Sequence, residues 1–408
     1  MDDVDSLTTM PGTSPPLSSL LPPLICGTAT FNSQYNQDPY SLPTTGIVHR
    51  ALSLGVRAFD TSPYYGPSEE LLGEALDLPF VHDNFPRRDL FLLTKVGRIG
   101  ASEFDYSASW VRHSVQRSLQ RLKTTYLDVV YCHDVEFVSH AEVLTAVKEL
   151  RRLRDETGAL KYVGISGYPV GVLCNLAESV LHETGEPLDA VMSYANFTLQ
   201  NTMLSSQALL RLKAAGVQVV PNASPLGMGM LRRGGVPVGA QGDFHPAPQG
   251  LRDTVLAASR WCDAHNEKLE VVALRFALEN WLGEGSAVGS MGDPASGLPR
   301  RRESIAEVGG KKLGVSVIGV SSIVELDETM RVWRSILDGL DGGQDTAIAS
   351  GKGSNDHEWS LQRKGQVVQL ERGIRDILGP WIDYAWPSPS SDFVRAVGAE
   401  KERDGSRL

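Results

Sequence analysis

The sequence predicts an α/β fold, a closed (β/α)8 barrel of the TIM type. Short β-rich apolar runs recur at intervals of roughly 30–40 residues, each followed by an amphipathic stretch. Counting from Leu24–Gly27 gives eight such runs, the rhythm of stacked right-handed βαβ units. Four of the runs end in a polar residue, and a parallel barrel gathers all its strand ends on one face. An open doubly wound sheet shares the rhythm; the count of eight favours closure.

The elements follow in order. Residues 1–22 are acidic and then rich in Ser and Pro, and read as a disordered leader. After Leu24–Gly27 comes Arg57–Asp60, then a helix over Ser68–Leu76. Leu90–Lys95 precedes Ser109–Leu122, where Val111, Val115, Leu119 and Leu122 repeat every three to four positions as one helical face does. Asp128–His133 precedes Ala141–Arg154, Lys161–Ser166 precedes Val172–His182, and Ala190–Tyr194 precedes Leu204–Ala215. Val217–Ser224 precedes Asp253–His265, and Val315–Ser322 precedes Glu325–Leu337. The barrel is thus expected over 23–338. Gly234–Gly250, Gly283–Gly314 and Gly339–Asp356 are Gly/Pro/Ser-rich and read as long surface loops. Residues 339–358 are expected to be a flexible linker. Residues 359–408 are expected to form a C-terminal helix, around Gln366–Ile377, and a tail packing on the barrel.

Composition narrows the function. The chain of 408 residues is 41% apolar with a formal net charge of -10, which argues against nucleic acid or an anionic membrane as partner. Arg300, Arg301 and Arg302 form the one basic run, in a Gly/Pro-flanked loop that reads as a solvated insertion. Cys26, Cys132, Cys174 and Cys262 are scattered without disulfide or metal-ligand spacing, so reduced thiols are expected and no metal. Neither a signal-peptide pattern nor an apolar run of membrane length is present, so a cytoplasmic protein is expected. Oligomeric state is not legible.

Asp60, Lys95, His133 and Ser166 end the second to fifth runs, so their side chains are expected to encircle one mouth. Tyr65 follows Asp60 in a tight loop flanked by Pro63 and Gly66, which can swing its phenol over that mouth. A phenol titrates near ~10 and is a poor base at neutral pH unless a cation favours its anion. Lys95 is expected to supply that charge, Asp60 to hold the ammonium, and His133 to orient a substrate oxygen. Cys132 alternates to the opposite face of its strand and is not expected to act as a nucleophile.

The stretches DTSPYYGPSEELLGEAL, LLTKVGR, YLDVVYCHDVEF, KYVGISGY and ASPLGMG resemble the aldo-keto reductases, and within them the NAD-linked aldose dehydrogenases. The resemblance runs from about Leu24 to Leu337 in motif order. It implies a catalytic tetrad of Asp60, Tyr65, Lys95 and His133, with Tyr65 preferred to Tyr64 by its offset from Asp60. It also implies a nicotinamide cofactor near Gly27, Thr28, Ser166, Gly167, Ser224, Pro225, Leu226, Gly227 and Gly229, whose glycines let a backbone approach phosphate closely. Gly319, Ser321, Ser322, Glu325 and Glu328 would meet its adenosine end, beside a helix N-terminus. Gly319 and Glu325 stand where NADP-linked relatives place a lysine and an arginine, so NAD is expected over NADP. Gly167 replaces the usual asparagine, and the usual glutamine falls near Met192–Ser193. The implied reaction is oxidation of an aldose of the L-galactose, D-arabinose or L-fucose type at C1 to its lactone. An NADPH-consuming carbonyl reductase and a nucleotide-sensing regulatory subunit are the alternatives.

Overall fold

The computed structural model describes residues 14–239, 241–294, 311–338 and 354–396. The strands β1 (Leu24–Gly27), β2 (Ala58–Asp60), β3 (Phe91–Val96), β4 (Leu127–His133), β5 (Leu160–Gly167), β6 (Ala190–Tyr194), β7 (Asn222–Ala223) and β8 (Ser316–Gly319) form one closed parallel barrel. β8 returns to β1 with Gly27 opposite Gly319.

Period-two alternation sorts the strand side chains into two cores. Ile25, Ala58, Leu93, Val129, Tyr131, Tyr162, Met192, Val219 and Val317 fill the barrel. Cys26, Phe59, Leu92, Val130, Cys132, Val163, Ile165, Val191 and Ile318 face outward into the layer beneath the helices. β7 is shorter than the apolar run around it. Pro221 has no N–H to give the ladder, and Val219 contributes an isolated bridge to Ala190.

The helices are α1 (Leu17–Leu20), α2 (Thr44–Ser53), α3 (Ser68–Leu76), α4 (Pro79–Asn84), α5 (Ala108–Arg121) and α6 (His140–Thr157), followed by α7 (Val170–Thr184), α8 (Leu209–Ala214), α9 (Gln249–Ala264), α10 (Leu269–Glu284), α11 (Ile323–Asp338) and α12 (Ser354–Leu378). α6 shows why local sequence specifies such elements. Ser139 and Glu142 form a reciprocal capping box at its start, and Gly158 stops it at φ 67°. α3 packs so closely on α5 that a methyl group on Gly73 would stand 1.9 Å from the Arg121 carbonyl oxygen.

Four features differ from the sequence reading. α1 lies inside the stretch read as a disordered leader: Leu17 and Leu21 are fully buried at the lower end of the barrel, and the Tyr162 hydroxyl donates to the Pro15 carbonyl at 2.6 Å. The apolar spacing of Leu17 and Leu21 reflects that plug. Among the described residues two α-helices, α9 and α10, lie between β7 and β8, where the sequence predicts one. α10 is buried on several sides, with Leu269, Val272, Ala273, Leu278 and Trp281 all inaccessible. A helix apolar around much of its circumference lacks the one-sided stripe that marks helices in sequence. Third, α12 is far longer than Gln366–Ile377 and starts within the stretch read as linker. It packs with α9 through Val367, Ile374 and Leu378. Fourth, the Gly234–Gly250 loop is anchored by His245, buried, whose Nε2 lies 2.9 Å from the Gly227 carbonyl. Residues 339–353 of the expected linker, 295–310 of the Gly283–Gly314 loop and the arginine run lie outside the described residues.

Among the described residues no helix is long and apolar enough to cross a membrane, and no group of His, Cys, Asp and Glu side chains could hold a metal.

Candidate active site

The last inward position of each strand defines the barrel mouth. Asp60, Lys95, His133 and Ser166 occupy it on β2 to β5, all buried. Gly27, Ala223 and Gly319 occupy it on β1, β7 and β8. The polar and small halves follow directly from sequence and alternation. A methyl on Gly27 would stand 3.0 Å from Val317 Cγ1, and one on Gly319 3.2 Å from Thr30 Cγ2. The small half is therefore a cradle that side chains would fill. On β6 the inward residues are Met192 and Tyr194. Ser193 points outward, and its hydroxyl accepts from Asn196 Nδ2 at 3.0 Å.

Lys95 Nζ donates to Asp60 Oδ1 at 2.7 Å and to the Thr61 carbonyl at 2.8 Å. The second carboxylate oxygen, Asp60 Oδ2, is buried with no partner. Lys95 Nζ stands 4.8 Å from the centre of the half-buried Tyr65 ring. The Tyr65 and His133 rings meet edge to face, 5.6 Å between centres. All four expected tetrad residues thus come together.

The charges around the phenol act in both directions. Burial, then the carboxylates of Asp60 and Asp134, pushes the Tyr65 phenol well above its ordinary value, against Arg98. The ammonium of Lys95 is matched by Asp60 at ion-pair distance, so the pair offers the phenolate little net charge. This environment favours the protonated phenol. Burial also holds His133 neutral, its pKa lowered to about 3 despite Asp134.

The His133 tautomer follows from hydrogen-bond accounting. Ser62 is fully buried, and its Oγ accepts from the Tyr64 amide at 3.1 Å. Ser62 Oγ lies 3.0 Å from His133 Nδ1. If Nδ1 carried the proton, the Ser62 hydroxyl hydrogen would be buried unpaired, which costs about 1–3 kcal/mol. Ser62 therefore donates to Nδ1, and Nε2 carries the proton. Nε2 stands 3.6 Å from Asp134 Oδ2. The Tyr106 hydroxyl clamps the His133 carbonyl from behind.

Other expected residues divide by what their side chains already do. Ser166 pairs with His133 across β4–β5, and its hydroxyl reaches the Cys132 carbonyl at 3.4 Å, a weak bond it can exchange for a ligand. Thr28 is fully buried, with its hydroxyl on the Asp60 carbonyl at 3.0 Å and on Ser68 at 2.6 Å, so that side chain is structural. Ser224, Gly227, Met228 and Gly229 all take left-handed backbone conformations, folding Ser224–Gly229, with Pro225 and Leu226 between, into a tight turn beside the mouth. Ser322 and Glu325 cap α11: Ser322 Oγ accepts from the Glu325 amide at 3.1 Å, and Glu325 Oε2 from the Ser321 amide at 2.7 Å. Glu328 is paired with Lys268 at 2.7 Å.

Ser62, Arg98, Tyr106, Asp134, Glu136 and Tyr194 also serve the site but were not singled out by sequence. Asp134 and Glu136 lie inside the quoted stretch YLDVVYCHDVEF, the one signal that pointed near them. Gly167 has a steric reason: a methyl there would meet Glu136 Oε2 at 2.5 Å. The tail after α12 crosses the same face. Trp386 stacks on Tyr168, 4.8 Å between centres, Ser388 donates to Glu136 at 3.0 Å, and Phe393 packs edge-on to Phe137. Surface clefts of about 310 and 420 Å³ lie elsewhere, against α11 and at the lower end of the barrel.

A closed barrel with a buried carboxylate–ammonium pair, a phenol and an imidazole at one mouth is the architecture of an oxidoreductase. The chain belongs to the aldo/keto reductase family, whose sequence pattern matches residues 23–339, and members of that family use nicotinamide cofactors. It is similar to D-arabinose 1-dehydrogenase of Saccharomyces cerevisiae, 46% identical over 268 residues, 65% of this chain and 78% of that one. L-galactose dehydrogenase of Arabidopsis thaliana is 36% identical over 236 residues, 57% of this chain and 69% of that one. D-threo-aldose 1-dehydrogenase of a Pseudomonas species is 24% identical over 269 residues, 60% and 78% of the two chains.

Proposed function

We propose that the chain oxidises an aldose at its anomeric carbon to the lactone, with NAD as hydride acceptor. The observation that carries this reading is the meeting of Tyr65, His133 and the Asp60–Lys95 pair at the cradled mouth. The relatives named for aldose oxidation support the substrate class.

The residues fit a flat dinucleotide: Gly27, Ala223 and Gly319 leave a wall of backbone and a single methyl group, and Ser166 stands beside it with an exchangeable hydroxyl bond. When bound, the nicotinamide supplies the place to which the C1 hydride goes. His133 Nε2–H holds the C1 oxygen, which fixes that carbon over the mouth. Tyr65, deprotonated, takes the C1 hydroxyl proton as the carbon–oxygen double bond forms. Asp60 holds Lys95 and so fixes the ammonium against the phenol ring.

Glu325 accepts from the Ser321 amide, and the family resemblance sets its carboxylate near the adenosine 2′-position. Like charges repel there, and a free ribose hydroxyl does not, which favours NAD. The four free, buried cysteines fit a reducing, cytoplasmic setting. One observation favours a second reading, an NADPH-linked carbonyl reductase: the protonated phenol is a ready acid. Purified protein with L-galactose, D-arabinose or L-fucose is expected to reduce NAD, read by NADH absorbance, and to use NADP poorly. Carbonyl reduction with NADPH and no aldose oxidation would overturn this assignment in favour of the second.

A further inference from the structure

A second polar layer lies above the tetrad, and each member is a near neighbour in sequence of a tetrad residue. Tyr64 adjoins Tyr65, Asp134 adjoins His133, and Arg98 follows Lys95 by one loop residue pair. Arg98 Nη1 donates to Asp134 Oδ2, and Nη2 donates to the Tyr64 hydroxyl at 3.1 Å. The guanidinium lies over Tyr64 at 3.9 Å and is walled by Phe104 and Phe137 at 5.5 and 5.4 Å. Asp134, buried, sits in a left-handed conformation at φ 55° that turns the chain sharply after β4. Its carboxylate reaches to within 3.6 Å of His133 Nε2, the nitrogen that carries the proton.

Burying an ion pair costs desolvation that packing alone does not recover. Arg98 also donates from Nε to the Gly100 carbonyl at 3.3 Å and from Nη2 to the Ala101 carbonyl at 3.5 Å, so what the pair still offers a ligand is the second Nη1 hydrogen and the remaining acceptor positions of the Asp134 carboxylate. Adjacent carbons of a polyol present donor and acceptor hydroxyls in the same alternation, and the Tyr64 phenol adds a third contact. The pair is also neutral as a unit. Arg98 without Asp134 would attract a carboxylate or phosphate; with it, no net charge faces an anion.

We propose that Arg98, Asp134 and Tyr64 form the subsite for the ring hydroxyls of a neutral sugar, and that Asp134 excludes sugar acids and sugar phosphates by cancelling the Arg98 charge. The inference rests on the C1-oxidation reading above and names which part of the site selects the substrate.

The test measures binding and turnover separately. Calorimetric titration of the protein saturated with NADH compares L-galactose with D-galacturonate. Steady-state oxidation compares L-galactose with 2-hydroxytetrahydropyran, which keeps the anomeric hydroxyl and ring but no other hydroxyl. Asp134→Asn is expected to weaken L-galactose binding about tenfold or more and to tighten D-galacturonate binding. It is expected to raise KM for L-galactose far more than for 2-hydroxytetrahydropyran. Tyr64→Phe keeps the ion pair and is expected to weaken L-galactose binding by a few-fold, which provides a reading if Asp134→Asn folds poorly. Equal loss toward both substrates, or unchanged selectivity between galactose and galacturonate, overturns the subsite. Selective binding without any turnover sinks the C1-oxidation reading and leaves the subsite standing.

Discussion

Ser62 Oγ lies 3.0 Å from His133 Nδ1, and that contact decides which imidazole nitrogen faces the barrel mouth with a proton. In Ser62→Ala, Nδ1 loses its donor and the preference for the Nε2–H tautomer weakens. A hydrogen bond of this kind is worth about 0.5–1.5 kcal/mol net, so kcat is expected to fall up to about tenfold. The ¹⁵N shifts of His133 are expected to move toward a tautomer mixture, and Ser62→Thr to restore them. Unchanged shifts in the alanine variant would contradict the assignment.

In the proposed mechanism Tyr65 sheds its proton before oxidation, yet burial and two carboxylates hold it well above the ordinary phenol range. The base form grows as pH rises, so aldose oxidation is expected to climb through the alkaline range, while carbonyl reduction climbs in the opposite direction. Tyr65→Phe is expected to lose about 10²–10⁴-fold in kcat with cofactor affinity retained. A flat pH profile for oxidation would count against Tyr65 as the base.

The Asp60–Lys95 pair is buried on both sides, 5% and 2% exposed respectively. Removing one partner leaves a lone buried charge, and Lys95→Met or Asp60→Asn is expected to cost about 3–5 kcal/mol in denaturant unfolding. The double variant is expected to recover part of that stability and none of the activity. A double variant as unstable as the singles would show that packing, not charge, dominates there.

Two groups beside the mouth, His133 and the half-buried Glu136, give stability opposite pH slopes. His133 has a folded pKa lowered to about 3 from 6.5. Its contribution is complete above 6.5 and is lost as pH falls toward 3, because the unfolded chain binds the proton first. Glu136 is raised to about 8 from 4.5 by burial and Asp134. Its contribution is complete below 4.5 and is lost as pH rises through 8. Urea midpoints of Glu136→Gln are expected to decline less than wild type between pH 5 and 8, and those of His133→Asn less between pH 6 and 4. Parallel curves for wild type and variants would exclude these groups as the source.

Glu325 holds the Ser321 amide at 2.7 Å at the start of α11. Glu325→Gln keeps that acceptor and removes the charge. NADP affinity, read by quenching of protein fluorescence, is expected to rise severalfold while NAD affinity changes little. Equal shifts for both cofactors would mean the residue acts only on the helix.

What could be read before folding was whatever depends on spacing. Alternation along each run placed Asp60, Lys95, His133 and Ser166 on one face of their strands, and the count of units implied closure. Cys132 was separated from His133 by the same rule, and burial pushes its thiol up to about 12. α10 escaped because tertiary burial on several sides erased its period, and the α1 plug because four residues are too few to carry one.

The sequence by itself determined which residues reach the mouth, since backbone geometry assigns side chains to faces at short range. Only the tertiary structure decided their states. The Tyr65 proton, the His133 tautomer and the Arg98–Asp134 pair depend on partners from other strands and loops. Charge and hydrogen bonding act through space over a few ångströms, and residues 62 and 133, or 98 and 134, become neighbours only when the barrel closes.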